Sequence, residues 1–231
     1  MKTFKFITIS SILIVGLLSS VAAQNNNPDS TSNDSIKSPI YRGFIVEVDV
    51  APLIESALIN RYAYSFQGNL MVNLNNRFFP IVEIGYAGAN KANILGAQFN
   101  TSGLFEKVGI DLRLMKPKPK ATIKNNFLLG GLRLGMSHFN YSIKNILMED
   151  DYWGGSEIIN AENISTTKLW FEFVAGIRAS VYNDIYMGWN VRNKRLISRT
   201  KPGENAPWYI PGYGLGNTSA WGFSYVIGYK F

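Results

Sequence analysis

The sequence predicts an all-β chain: eight antiparallel strands closed into an up-and-down transmembrane β-barrel. Three observations carry that expectation. Beyond residue 40 the apolar residues recur with a period of two, which is a strand period. No stretch there approaches the roughly 18 consecutive apolar residues that a spanning helix needs. The connections alternate between long and tight, as in a barrel with loops at one end and turns at the other.

The first strand sets Phe44, Val46, Val48 and Val50 against Ile45, Glu47 and Asp49. The second sets Tyr62, Tyr64, Phe66, Leu70, Val72 and Leu74 against Gln67, Asn69, Met71 and Asn73. After an Asn75-Asn76 turn, Phe78, Val82, Ile84 and Tyr86 share a face opposite Glu83 and Gly85. Pro80 counts against that strand, because proline donates nothing to a ladder. The fourth strand opposes Val108, Ile110, Leu112 and Leu114 to Lys107, Gly109, Asp111 and Arg113. The fifth opposes Leu128, Leu132, Leu134 and Met136 to Gly131, Arg133, Gly135 and Ser137.

In the sixth, Leu169, Phe171, Phe173, Ala175 and Ile177 oppose Trp170, Glu172, Gly176 and Arg178. An Asn183-Asp184 turn leads to Ile185, Met187, Trp189 and Val191, opposed by Gly188, Asn190, Arg192 and Lys194. The last strand opposes Trp221, Phe223, Tyr225, Ile227, Tyr229 and Phe231 to Gly222, Ser224, Val226, Gly228 and Lys230. Long segments are expected between strands 1 and 2, 3 and 4, 5 and 6, and 7 and 8.

Alternation leaves open which face points inward, and size decides it. Eight strands enclose a lumen barely wide enough for side chains. One face carries Trp, Tyr, Phe and Leu, too bulky for that lumen; the other carries glycines that make room for long Arg and Lys chains. Aromatics gathered near strand ends, such as Tyr62, Tyr86, Trp221 and Tyr229, fit girdles at the two membrane interfaces. The alternative is a soluble periplasmic lipocalin-like ligand carrier with the bulky face inside.

The charge balance, 23 Lys and Arg against 16 Asp and Glu, is basic, but the charges are scattered and no nucleic-acid motif appears. Absence of Cys excludes disulfides, thiolate metal sites and Cys nucleophiles. No metal or cofactor motif is found. Lys2 and Lys5 precede an apolar run ending in small residues at Val21, Ala22 and Ala23, the layout of a signal peptide over residues 1–23. Residues 24–40 are polar and read as a disordered tether, which leaves 41–231 for the barrel.

The final run WGFSYVIGYKF resembles the C-terminal assembly signal of outer-membrane β-barrel proteins. That resemblance implies recognition of Tyr225, Ile227, Tyr229 and Phe231 by the barrel insertion machinery. The blocks GMSHFNYSI, DDYWGG, YMGWNVRNK and APWYIPGYG are similar to an uncharacterised family of small Gram-negative outer-membrane barrels. The resemblance implies residence among outer-membrane lipid, with the tether and C-terminus in the periplasm, and no known activity.

The inward face gathers Glu47, Asp49, Glu83, Asp111 and Glu172 with Lys107, Arg113, Arg133, Arg178, Arg192, Lys194 and Lys230. In a narrow lumen these are expected to pair into an ion network that fills the barrel. The function expected is therefore structural, or binding of a partner or glycan through the outer loops. Asp150, Asp151 and Trp153 in one loop and Trp208 and Tyr209 in another are the candidates. Packing over the barrel mouth competes with sugar stacking for the second group.

The alternative chemistry is a lipid A-modifying hydrolase. His138, the only histidine, falls on the lipid-facing parity near Ser137 and Ser142, with Glu149 or Glu172 as orienting acids. That likeness departs from known lipid A deacylases, because Asn140 stands where their serine would.

Overall fold

The computed structural model describes residues 40–58, 62–94, 96–115, 126–150, 155–198 and 206–231. Residues 1–39, which hold the signal-peptide segment and all of the tether but Ile40, lie outside these residues, as do 116–125, Asp151 and Trp153. The strands are β1 (Tyr41–Asp49), β2 (Ala63–Leu74), β3 (Phe78–Ala92), β4 (Gln98–Arg113), β5 (Phe127–Asp150), β6 (Gly155–Tyr182) and β7 (Ile185–Leu196). A two-residue hairpin follows, β8 (Tyr209–Ile210) and β9 (Gly214–Leu215), and then β10 (Ser219–Lys230). One helix, α1 (Ala51–Leu58), joins β1 to β2.

Eight of the strands close a barrel in the order β1-β10-β7-β6-β5-β4-β3-β2, every pair antiparallel. β10 closes it, pairing Val46 with Tyr229 and Val48 with Ile227. Closure leaves no edge within the wall, as a spanning sheet requires. At the turn end Asn75 and Asn76 both adopt φ near +54°, a left-handed conformation that asparagine tolerates, in a tight turn closed by the Arg77 amide donating to the Leu74 carbonyl at 3.1 Å. Pro80 is accommodated where the β2–β3 ladder skips from Met71↔Ile81 to Leu74↔Phe78, so its missing donor falls in an interruption.

The outward face is a continuous apolar band. Val46, Leu70, Ile84, Val108, Leu132, Phe173, Trp189 and Phe223 are each at least 40% exposed and come from all eight strands. A water-soluble monomer rarely presents such a belt. It is the lipid-facing surface of a transmembrane barrel, and the inside-out carrier reading fails on it. Tyr62, Tyr64 and Trp221 border the band at the loop end, and Tyr182, Tyr229 and Phe231 at the turn end.

Two of the expected long connections are not loops. β3 and β4 extend to Ala92↔Gln98, leaving only residues 93–97 between them. β5 and β6 run to Asp150↔Gly155, so the polar segment between strands 5 and 6 continues as paired strand. Polar sequence above the membrane still forms a ladder when Ile146↔Ile159 and Leu147↔Ile158 provide cross-strand apolar pairs.

Candidate functional site

The interior is filled in three layers. At the turn end Ile45, Met71, Phe79, Ile81, Phe127, Leu129 and Tyr186 pack together, with Phe79 and Phe127 stacked at 5.4 Å. Beside them lies a cavity of about 10 Å³, room for about one water. At the loop end Phe99, Phe105, Phe139, Tyr141, Ile143 and Trp170 form a second apolar layer. The sequence reading placed Trp170 on the inward face but missed Phe99, Phe105 and Phe139, because they lie in strand extensions that it did not assign to strands.

Between them lies the ion network. Glu83 on β3 is its hub: Arg192 Nη1 donates to it at 2.7 Å and Arg133 Nε at 3.0 Å, and Lys107 Nζ sits at 3.3 Å. Glu172 shares Arg192 at 3.1 Å and Lys107 at 3.4 Å and accepts from Trp170 Nε1 at 2.7 Å. Arg133 also holds Asp111, with Nη2 donating at 2.8 Å. Arg178 grips Glu47 through two donors, at 2.6 and 2.9 Å.

Neutral groups complete the connections. Gln67 donates to Glu83 and Asn69, Asn69 to Glu47, and Arg178 to Asn190, which in turn donates to Ser224. The chain of contacts therefore touches all eight barrel strands. Its four carboxylates, Glu47, Glu83, Asp111 and Glu172, match its four cations, Lys107, Arg133, Arg178 and Arg192, and all eight side chains are buried.

Four residues assigned to this network by parity do something else: Lys194 at the mouth, described below, and three near strand ends. Asp49 accepts from the backbone amides of Ala51 and Tyr225, at 3.1 and 3.2 Å, and so holds the start of α1 against β10. Arg113 lies over the Phe127 ring at 5.0 Å, and Lys230 lines the small cavity at the turn end. Alternation sets the face of a side chain but not its height in the barrel, and all three sit near strand ends, away from the central carboxylates.

The glycines act as the sequence suggested, at close quarters. A Cβ on Gly188 would lie 2.4 Å from Arg178 Cδ, so its absence admits the arginine stem. At Gly135 the neighbour is the Trp170 ring, at 2.3 Å, so this glycine makes room for an aromatic rather than a cation.

The mouth is closed by the chain itself. Ile210 and Tyr213 are buried; Trp208 stacks on Phe99 at 5.4 Å and Tyr213 sets its edge on Trp170 at 5.8 Å. Lys194 Nζ, instead of joining a carboxylate, donates to the carbonyls of Gly212 and Tyr213 at 2.9 and 3.0 Å. Burial pushes the Tyr209 phenol up to about 12, so it stays neutral. Trp208 and Tyr213 thus face the barrel rather than a ligand.

His138 lies on the outer face, with Nδ1 2.8 Å from Thr167 Oγ1 and Nε2 3.5 Å from Ser165 Oγ. Ser137 points to the opposite face and donates to the Leu104 carbonyl. Ser142 accepts from the Asn163 amide. Glu172 is buried inside the barrel and cannot orient the imidazole across the sheet. Among the described residues no carboxylate is bonded to His138, and none forms a cluster suited to a metal.

Among solved structures, the chain is similar to two surface proteins at low identity. Neisserial surface protein A shares 13% identity, with 83% of this chain and 99% of that one covered and a TM-score of 0.42. Ail, the attachment invasion locus protein of Yersinia pestis, in complex with the heparin analogue sucrose octasulfate, shares 12% over 82% and 99%, with a TM-score of 0.41. No curated protein matches the sequence. Residues 3–231 match the family model described as "Domain of unknown function (DUF6048)", and the chain belongs to that family.

Proposed function

We propose that the protein is a non-conducting outer-membrane barrel that anchors and displays its loop-end surface, above all the β5–β6 hairpin, for binding on the outer side. The observation that carries this reading is the filled interior. Two apolar layers and an ion network that engages every barrel strand leave no route for solute. The material that extends beyond the apolar band is concentrated in β5 and β6, the two longest strands.

In this reading residues 1–23 direct export, 24–40 tether the barrel on the periplasmic side, and Tyr225 to Phe231 guide insertion. Outer-membrane lipid and the insertion machinery are then its standing partners. The role is binding rather than catalysis, since among the described residues His138 is bonded to Thr167 and Ser165 and to no acid.

The test is threefold. The native envelope is fractionated and run on detergent gels with and without boiling, purified protein is placed in planar bilayers, and intact cells are treated with protease. A heat-dependent mobility shift in the outer-membrane fraction, no conductance, and cleavage within residues 144–162 are expected. A soluble, unshifted protein or a steady ion current would overturn the reading.

A further inference from the structure

The outer wall carries a carboxylate within its apolar band. Glu106 on β4 has the outward parity of Leu104 and Val108, and it stands between Ile84 on β3 and Met136 on β5. Ile84 is 59% exposed and Leu104 57%, so its surroundings are side chains that meet acyl chains. The glutamate itself is half-buried among them. Among the described residues its carboxylate accepts no hydrogen bond and has no base within ion-pair reach. His138, a diagonal neighbour, turns the other way, to Thr167 and Ser165 on β6. A charge that faces lipid is costly without a counter-charge, and such residues are kept where something supplies one.

The rows of the wall on either side of Glu106 differ in kind. Toward the turn end the next row holds Val108 and Leu134. Toward the loop end it holds Tyr86, His138 and Thr167, and Ser102 and Asn140 stand one row further. The Tyr64 hydroxyl hydrogen-bonds with both Tyr86 and Ser102. Along the wall the surface therefore passes from apolar, through one negative charge, to hydroxyls and amides. An amphiphile lying against it meets its acyl chains, a cation and a polar head in turn.

We infer that Glu106 anchors a lipid site on the outer wall that selects an ethanolamine phospholipid. The carboxylate holds the primary ammonium, the hydroxyls of the Tyr86 row donate to the phosphate, and the acyl chains cover Val108 and Leu134. Successive rows are about 7 Å apart, a gap that the two-carbon link between ammonium and phosphate covers with its hydrogen bonds. Charge excludes the other headgroups. A glycerol phospholipid or a phosphorylated glycolipid brings only negative charge to a carboxylate with no described cation beside it, and a choline head has no N–H to donate.

The inference rests on the wall facing lipid and is independent of what the β5–β6 hairpin binds. Full-length protein is folded in detergent micelles, and the heat-dependent gel shift verifies the barrel for every variant. Native mass spectrometry then counts the lipids retained when ethanolamine, glycerol or choline phospholipid of identical acyl chains, or lipid A, is added. The ethanolamine lipid should be retained at about fivefold lower concentration than the glycerol or choline lipid. E106Q should lose most of that margin, and E106K should reverse it in favour of the glycerol lipid.

Equal retention of the ethanolamine lipid and either other phospholipid, tighter retention of lipid A, or a preference unchanged in E106Q would each overturn the proposal. With the gel shift retained, such a result leaves the barrel reading standing. A wild-type protein that shows no gel shift overturns the lipid-facing wall and the site with it.

Discussion

Arg178 on β6 and Glu47 on β1 meet across the lumen, Nε to Oε1 at 2.6 Å and Nη2 to Oε2 at 2.9 Å. They are 131 residues apart, on strands that are not neighbours in the wall. The pair therefore braces the barrel through its middle. Glu47→Gln should destabilise the folded barrel by about 3–5 kcal/mol, because it leaves a buried guanidinium without its counter-charge. E47L/R178L should cost far less, since replacement of both charges by apolar groups is often near neutral. Guanidinium unfolding in micelles, followed by the heat-dependent gel shift, measures both.

Gly188 faces the Arg178 stem at the distance where a methyl group would collide. Gly188→Ala should lower stability by about 1–3 kcal/mol through overpacking. Shortening the stem in G188A/R178A should remove the clash but lose the Glu47 pair, so the double variant should show no further penalty from the alanine at 188. A double-mutant cycle in the same unfolding assay reads that coupling.

Closure of the mouth is separable from closure of the lumen. Tyr213→Ala removes the edge contact to Trp170 and should expose the segment from Ala206 to Asn217 to proteolysis. Conductance in planar bilayers should stay at zero, because the layer of Glu83, Glu172 and Arg192 beneath remains intact. A current from this variant would place the seal in the mouth segment instead.

His138→Ala should leave the acylation pattern of lipid A unchanged when measured by mass spectrometry. The imidazole reaches Thr167 and Ser165, but the acid on its strand neighbour, Glu172, faces the other side of the sheet. Any change in acyl content would restore a catalytic reading.

Phe231 stacks on Phe44 at 4.7 Å and its amide donates to the Phe44 carbonyl at 2.8 Å, all on the outer wall at the barrel seam. Its substitution by Ala removes one exposed ring contact, for which a stability loss of about 1 kcal/mol is expected. A role in assembly predicts something larger, a marked slowing of insertion into liposomes that contain the insertion machinery. Equal small effects on rate and stability would leave Phe231 a wall residue only.

The period-two alternation determined the number of wall strands and sorted the residues of each into two faces, and the width of an eight-strand lumen decided which face points inward. Lipid outside and a narrow lumen inside permit only one sorting of Trp189 and Phe223 from Asn190 and Ser224. Nearest-residue chemistry also located the Asn75-Asn76 turn, where a left-handed backbone is needed.

Partner choice inside the lumen was decided by the tertiary structure alone. Whether Glu47 meets Arg178, or Asp49 meets two amides, depends on the stagger between strands far apart in sequence, which no local pattern encodes. The same holds for Lys194, which parity placed among the charges and which the folded-back mouth segment occupies with carbonyls. β5 and β6 extend past their neighbours because Ile146, Leu147, Ile158 and Ile159 pair across the hairpin, a register set by the barrel below. Alternation is a property of one strand and is visible in its sequence, whereas closure and height are properties of eight strands together.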